Sequence, residues 1–256
     1  MPTEKTLAIV LRVIDFSESS CVVTLFTRDF GKISGLAKGA RRPKSAFEAA
    51  LDLLAVCRIV FLHKSSEALD LLTEAKLQRR FKSARNNLSR LYAGYYVAEL
   101  LTELTDEGDP HPELFDAAES ALVTLDDQDH GDDSVDVVVV LMRFELTALR
   151  LLGHLPSLTQ CVGCGCSVDG GSRVAFGQLS GGVLCGKCRI GKKQVVSVRT
   201  ETIETLRRLA EPEDRFNRFT LDRGSIGELR GVLNHYLRNL LGHRLRMHQF
   251  LGLLAE

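Results

Sequence analysis

The chain reads as an α+β protein, in which an N-terminal OB-type five-stranded β-barrel precedes an α-helical domain carrying an inserted four-cysteine zinc-binding module. Three observations predict this. The apolar period is two residues over positions 6–79 and turns helical from Leu88 onward. Two C-x2-C pairs, Cys161/Cys164 and Cys185/Cys188, stand twenty residues apart inside the helical part. Charge is segregated: residues 1–90 hold sixteen Lys/Arg against nine Asp/Glu, residues 91–142 none against fourteen, and residues 143–256 seventeen against ten.

The five strands are "TLAIVLRVIDF", "CVVTLFTRD", "KISGLAKGA", "AVCRIVFLHK" and "LDLLTEAKL", each bounded by polar or glycine-containing turns. Five short strands close most simply as a small barrel, and "PKSAFEAALDLL" between the third and fourth offers a helical turn to plug one end. Helices follow. Leu88, Leu91, Tyr92 and Tyr95 share one face, and Leu114, Phe115, Ala118, Leu122 and Leu125 share another behind Pro112, which suits a first helical turn. Val135, Val138, Val139, Met142, Leu146 and Leu149 form a third stripe, stopped by Gly153 and Pro156. Ile203, Leu206 and Leu209 mark a short helix. Ser225 with Glu228 is spaced as a capping box opening a last helix through Ile226, Leu229, Leu233, Tyr236, Leu237 and Leu240, with room to run to Leu254. The expected division is 1–82 for the barrel, 83–158 and 199–256 for the helical domain, and 159–198 for the zinc-binding module.

A length of 256 residues exceeds the ~100–150 of one typical core, and 45% hydrophobic residues suffice to bury more than one. The longest apolar run, "VVVVLM", is far below the ~18 residues of a membrane span. "MPTEKTLAIVLRVID" lacks a secretory apolar core, since Glu4, Lys5 and Arg12 interrupt it. A cytoplasmic protein is expected, with cysteines as thiols or metal ligands and no membrane partner.

Two turn-sized thiolate pairs can close around one tetrahedral ion, and zinc is its usual occupant. Four protein ligands leave no position for water, so the ion is structural, and no His or Glu inside the loop offers a general base. A redox dithiol would need a strand feeding a helix N-terminus, which this glycine-rich segment does not offer. Cys166 is a fifth thiol that a C-x4-C pairing would substitute for Cys164; the repeated C-x2-C spacing favours leaving it out. Cys21 and Cys57 lie in apolar strand runs and read as core residues. The acidic loop "DDQDHGDD" reads as a solvated linker, without the Gly and Glu placement of a calcium loop. The seven histidines form no i, i+4 pair and no HExxH, and no P-loop, GxGxxG or nucleophile elbow occurs. The chain is therefore read as not an enzyme.

"GKISGLAKGARRPKS" places Lys32, Lys38, Arg41, Arg42 and Lys44 on one strand and the loop leaving it. On a barrel of net positive charge this reads as a phosphate-tracking groove for single-stranded nucleic acid. Four phosphate contacts would make log affinity fall with log salt at a slope near ~−3 on single strands. Phe26, Phe30 and Phe47 are aromatic neighbours able to stack bases, although core packing suits at least two of them better.

Taken together, "AIVLRVIDFSESSCVVTLFTRDFGKISGLAKGARRPKS", "YYVAELLTEL", "HPELFDAAESAL", "RFELTALRLLGHLPSLTQCVGC" and "GGVLC" resemble, in order and over most of the chain, the bacterial DNA repair family RecO, a family of recombination mediators. The resemblance implies an OB domain, a helical domain and an inserted zinc module. It implies binding to single- and double-stranded DNA and annealing of complementary strands coated by single-strand-binding protein. It also implies help, with the partner RecR, in loading the recombinase RecA. By position, the family's DNA-contacting loop falls on Lys38, Arg41, Arg42 and Lys44, and its zinc ligands on Cys161, Cys164, Cys185 and Cys188. The helical domain would receive the acidic, apolar C-terminal tail of single-strand-binding protein, for which Arg143 and Arg150 are candidate cations. Such a protein would be cytoplasmic and nucleoid-associated. The rival readings are a zinc-stabilised interaction adaptor without a direct DNA role and a metal-dependent nuclease.

Overall fold

The computed structural model of the chain describes residues 2–47, 50–63, 69–82, 87–127, 134–168, 171–211, 221 and 223–251. Alternation of β-branched and polar side chains produces five strands where expected: β1 (Thr3–Asp15), β2 (Cys21–Thr27), β3 (Gly31–Ala37), β4 (Val56–Leu62) and β5 (Asp70–Arg79). They form a closed barrel in the order β1-β2-β3-β5-β4. All neighbours are antiparallel except β3 and β5, which pair in parallel at Gly35/Asp70 to Ala37/Leu72. Inward residues such as Val10, Val23, Leu25, Ile59, Phe61 and Leu72 fill the interior. Residues 43–54 form turns, not the expected helical turn, among the residues described there. They still close the barrel, because Phe47 and Ala50 join its core.

The chain divides into two compact units, Met1–Gly131 and Asp132–Glu256. In the first, α1 (Leu88–Leu104) and α2 (Pro112–Asp126) lie on the barrel. α2 buries the expected stripe of Leu114, Phe115, Ala118, Leu122 and Leu125. α1 does not: Leu88 is 59% exposed, and Ala93, Tyr96, Val97, Leu100 and Leu101 face inward instead. Its apolar residues encircle the helix, so spacing alone could not choose the buried face.

Two basic side chains terminate these helices. Arg90 is buried and its Nη1 donates to the carbonyls of Leu125, at 3.1 Å, and Asp127 at the C-terminal end of α2. Lys32 Nζ donates to the carbonyls of Thr102 (2.6 Å) and Thr105 (2.5 Å) at the end of α1. Both place a cation on the negative end of a helix dipole. Arg28 grips Asp116 of α2 through two 2.8 Å bonds, which hold the Asp116 carboxyl below its ordinary range. Ser34 donates to Glu107 at 2.9 Å. Gly31 adopts φ +68, and a Cβ there would stand 2.2 Å from the carbonyl oxygen of Asp109, so only glycine admits this approach. The acidic 91–127 stretch thus docks at the Gly31 end of β3, about 20 Å along the strand from the basic loop that leaves Ala37.

The second unit holds α3 (Ser134–Leu151), a sheet of β6 (Arg173–Gly177), β7 (Gly182–Leu184) and β8 (Val195–Arg199) in the order β7-β6-β8, then α4 (Thr200–Leu209), α5 (Arg223–Leu241) and α6 (His248–Leu251). Met142, Leu146, Leu149, Ile203, Leu206, Leu209, Leu229, Leu233 and Leu237 are buried. Glu145 of α3 is fully buried and ion-paired with Arg230 of α5.

Two expectations for α5 fail. The helix begins two residues before Ser225, so Ser225 is inside it; Glu228 accepts bonds from Thr202 Oγ1 and, at 2.8 Å, Arg199 Nε. Burial raises the Glu228 carboxyl's pKa, but those donors more than offset it and leave it lowered. The helix also ends at Leu241 and does not run to Leu254, because Gly242 turns to φ +77. Most of the acidic loop, residues 128–133, lies outside the described residues. No helix among the described residues is long and apolar enough to cross a membrane.

Candidate nucleic-acid interface and metal centre

The loop after β3 is shaped by its own backbone and by the β1–β2 turn. Arg42 N donates to Gly39 O (3.0 Å) and Ser45 N to Arg42 O (3.2 Å), folding 39–45 into two successive turns. Arg41 N donates to Ser19 O at 3.1 Å and Gly39 N to Ser20 Oγ at 3.2 Å, fastening the loop to the hairpin. Lys44 holds φ +61, an uncommon conformation for a residue with a Cβ. The loop thereby brings Lys38, Arg42 and Lys44 around one open groove of about 420 Å³, floored by Phe47, Leu71, Leu72 and Thr73.

The five cations of the basic stretch therefore part company. Arg41 lines a neighbouring pocket of about 190 Å³ with Val13, Asp15, Cys21 and Leu51, and its Nη1 lies 2.8 Å from Asp15 Oδ2. Lys32 is at the far end of β3, on the carbonyls of α1. Asp15, 26 positions before Arg41, carried no signal in the sequence, since only the barrel's register adjoins them. The expected stacking aromatics are elsewhere engaged. Phe26 is fully buried and stacked on Phe115 at 6.2 Å, Phe47 is in the core, and Phe30 packs edge-on against Phe61 at 5.4 Å. Arg143 and Arg150 lie seven residues apart, about two turns, on α3, half-buried and exposed respectively.

The cysteine segment lies between α3 and α4, as expected. Cys161 begins a tight turn in which Gly165 N donates to Cys161 O at 2.7 Å, and Cys161 N donates to Cys166 O at 2.8 Å. The β6–β7 hairpin delivers the second pair, and Val162 N bonding to Val183 O at 3.0 Å sets the two turns side by side. The sulfurs of Cys161, Cys164, Cys185 and Cys188 all lie within 4.8 Å of one another, and Cys164 and Cys185 are 3.8 Å apart. Four sulfurs at ~2.3 Å from one ion would be spaced by about 3.8 Å. All seven cysteines are free thiols.

Backbone amides prepare two of the four for ionisation. Cys185 N, 3.3 Å from Cys161 Sγ, and then the amides of Gly163 and Cys164 draw the Cys161 thiol down to about 6. Cys188 N, 3.4 Å away, lowers Cys185 in the same way. Cys188 is pushed up to about 12, chiefly by the Cys164 sulfur. Four adjacent sulfurs cannot all carry charge unaided, and the cluster could hold a metal ion, which would supply the compensation. Cys166 Sγ lies 3.4 Å from Cys164 Sγ, but Cys166 is not one of the four mutually adjacent thiols. Cys21 and Cys57 are buried in the barrel, and burial pushes Cys57 up to about 12.

Comparison with known proteins agrees with both halves of the chain. Residues 1–81 match the family model described as recombination protein O N terminal, and residues 85–248 match recombination protein O C terminal. Similar proteins named DNA repair protein RecO include that of Rhodopirellula baltica, 43% identical over 96% of this chain and 97% of the relative. Those of Myxococcus xanthus (34%, over 96% and 95%) and Symbiobacterium thermophilum (31%, over 97% and 96%) are also similar end to end. The chain belongs to the RecO family.

Proposed function

We propose that this protein is a non-enzymatic DNA-binding and strand-annealing factor in DNA repair and homologous recombination. The observation that carries this reading is the convergence of Lys38, Arg42 and Lys44 on one groove of the barrel. Cations aligned on a loop neutralise phosphates without reading sequence, and neutralising two strands lowers the repulsion that opposes annealing. Base pairing then drives the reaction, with no bond chemistry asked of the protein. The strand order β1-β2-β3-β5-β4 supports assigning the barrel to the OB type.

In this reading residues 1–82 bind DNA, 83–158 and 199–256 form the helical body, and 159–198 hold one structural zinc ion through Cys161, Cys164, Cys185 and Cys188. The thiolates supply charge and geometry, and the ion cross-links two turns without chemistry of its own. Arg143 and Arg150 receive the acidic tail of single-strand-binding protein, which brings the basic groove to coated single strands. RecR is the partner with which RecA is then loaded. The protein works in the cytoplasm, on the nucleoid.

The test is annealing of complementary strands coated with single-strand-binding protein. The Lys38→Ala/Arg42→Ala/Lys44→Ala variant should lose annealing, and the salt slope of single-strand binding should shrink by about 2, at about 0.7 per contact. Unchanged annealing would leave the zinc-stabilised adaptor as the better reading. Magnesium-dependent cleavage of the DNA would favour the nuclease.

A further inference from the structure

We propose that the end of the β1–β2 hairpin, with Phe16 at its tip, is a stacking platform for unpaired nucleobases whose phosphates lie on the adjacent cation loop. This rests on the nucleic-acid reading above and adds to it a base-contacting residue and a preference for single strands.

Isolated exposed apolar side chains are ordinary, but here Val13, Ile14 and Phe16, exposed by 37%, 43% and 66%, fall within four residues. Phe16 is the one exposed phenylalanine among the described residues. It is held firmly: Phe16 N and Ser17 N both donate to Ser20 O, at 3.0 and 3.1 Å, and Ser20 N donates to Ser17 Oγ at 3.2 Å. The same turn holds the cation loop, through Ser19 O to Arg41 N and Ser20 Oγ to Gly39 N. An aromatic face and a row of cations are thus fixed on one scaffold, the combination that single-strand binders use for base and backbone.

Charge orients the ligand. Glu18 flanks the tip and repels phosphate from it, while the charge of Asp15 is offset by Arg41, so the backbone is directed to Lys38, Arg42 and Lys44, and the uncharged bases to Phe16. A duplex keeps its bases stacked inside and gains only the phosphate contacts.

The chain has no tryptophan, so Phe16→Trp introduces a single indole at the platform, excited selectively over the four tyrosines. Its fluorescence should be quenched on saturation with oligothymidylate and stay unchanged with an abasic strand of equal length. Phe16→Ala should bind oligothymidylate about ten-fold more weakly, with duplex affinity unaltered. Unchanged indole emission from the Phe16→Trp variant on bound oligothymidylate, or wild-type single-strand affinity in Phe16→Ala, would overturn the platform and leave the patch to a protein partner. Failure of the wild-type chain to bind either DNA would overturn the nucleic-acid reading itself, and the platform with it.

Discussion

Arg41 Nη1 lies 2.8 Å from Asp15 Oδ2, so one cation of the basic loop is neutralised by the end of β1 while its three neighbours face a groove. Both partners are about half exposed or more, and such a pair contributes under about 1 kcal/mol to stability. Asp15→Asn should therefore leave urea denaturation unchanged within about 0.5 kcal/mol. With Arg41 released to a phosphate, single-strand affinity should rise and its salt slope steepen by about 0.7. Binding titrations at several salt concentrations measure both.

Gly31 is the point at which α1 and α2 are keyed to the barrel. Gly31→Ala places a methyl 2.2 Å from Asp109 O at a positive φ, and should destabilise the 1–131 unit by about 3 kcal/mol. Denaturation followed by circular dichroism reads the loss, and a cost below about 1 kcal/mol would contradict the geometry.

The four-sulfur cluster predicts its own stoichiometry. Native mass spectrometry should find one zinc per chain in the wild type and in Cys166→Ser, and none in Cys161→Ser. Chelation should lower the melting temperature of the wild type and leave that of Cys161→Ser unmoved. Zinc lost with Cys166 would make it a ligand.

His248 is buried, and burial, followed by the charges of Arg230 and Arg244, pushes it down to about 4 from an ordinary 6.5. Between those values the unfolded chain binds a proton that the folded chain refuses, so stability rises with pH across the window. The contribution is complete above about 6.5 and is lost progressively toward pH 4. His248→Gln should flatten this part of the profile, measured as melting temperature against pH beside the wild type. An equal slope in both proteins would assign the loss to other groups.

The parts of the fold legible in the sequence are those where a local pattern has one reading. Alternation gave each barrel strand an inside and an outside, and in α2 the row Leu114, Phe115, Ala118, Leu122 and Leu125 left one face to bury. In α1 apolar residues occur on every side, and the buried face followed from what α2 and the barrel offered. Ser225 and Glu228 have the spacing of a cap. Glu228 nonetheless bonds Arg199 and Thr202, 29 and 26 positions away, and the helix begins at Arg223, which leaves Ser225 inside it.

The site divides the same way. Cysteine spacing favoured the four thiols that meet, since each C-x2-C is a single turn, but it left Cys166 as an alternative to Cys164, and only the folded positions of the sulfurs set Cys166 outside the four. The sequence likewise confined the basic stretch to one strand and loop, but not the use of each cation. That was decided by the tertiary structure, which set Lys32 on the carbonyls of Thr102 and Thr105, Arg41 on Asp15, and Lys38, Arg42 and Lys44 around a groove. The physical reason is range: a turn's geometry is settled by bonded neighbours, whereas a charge finds its partner through space, among residues that only the closed barrel brings together.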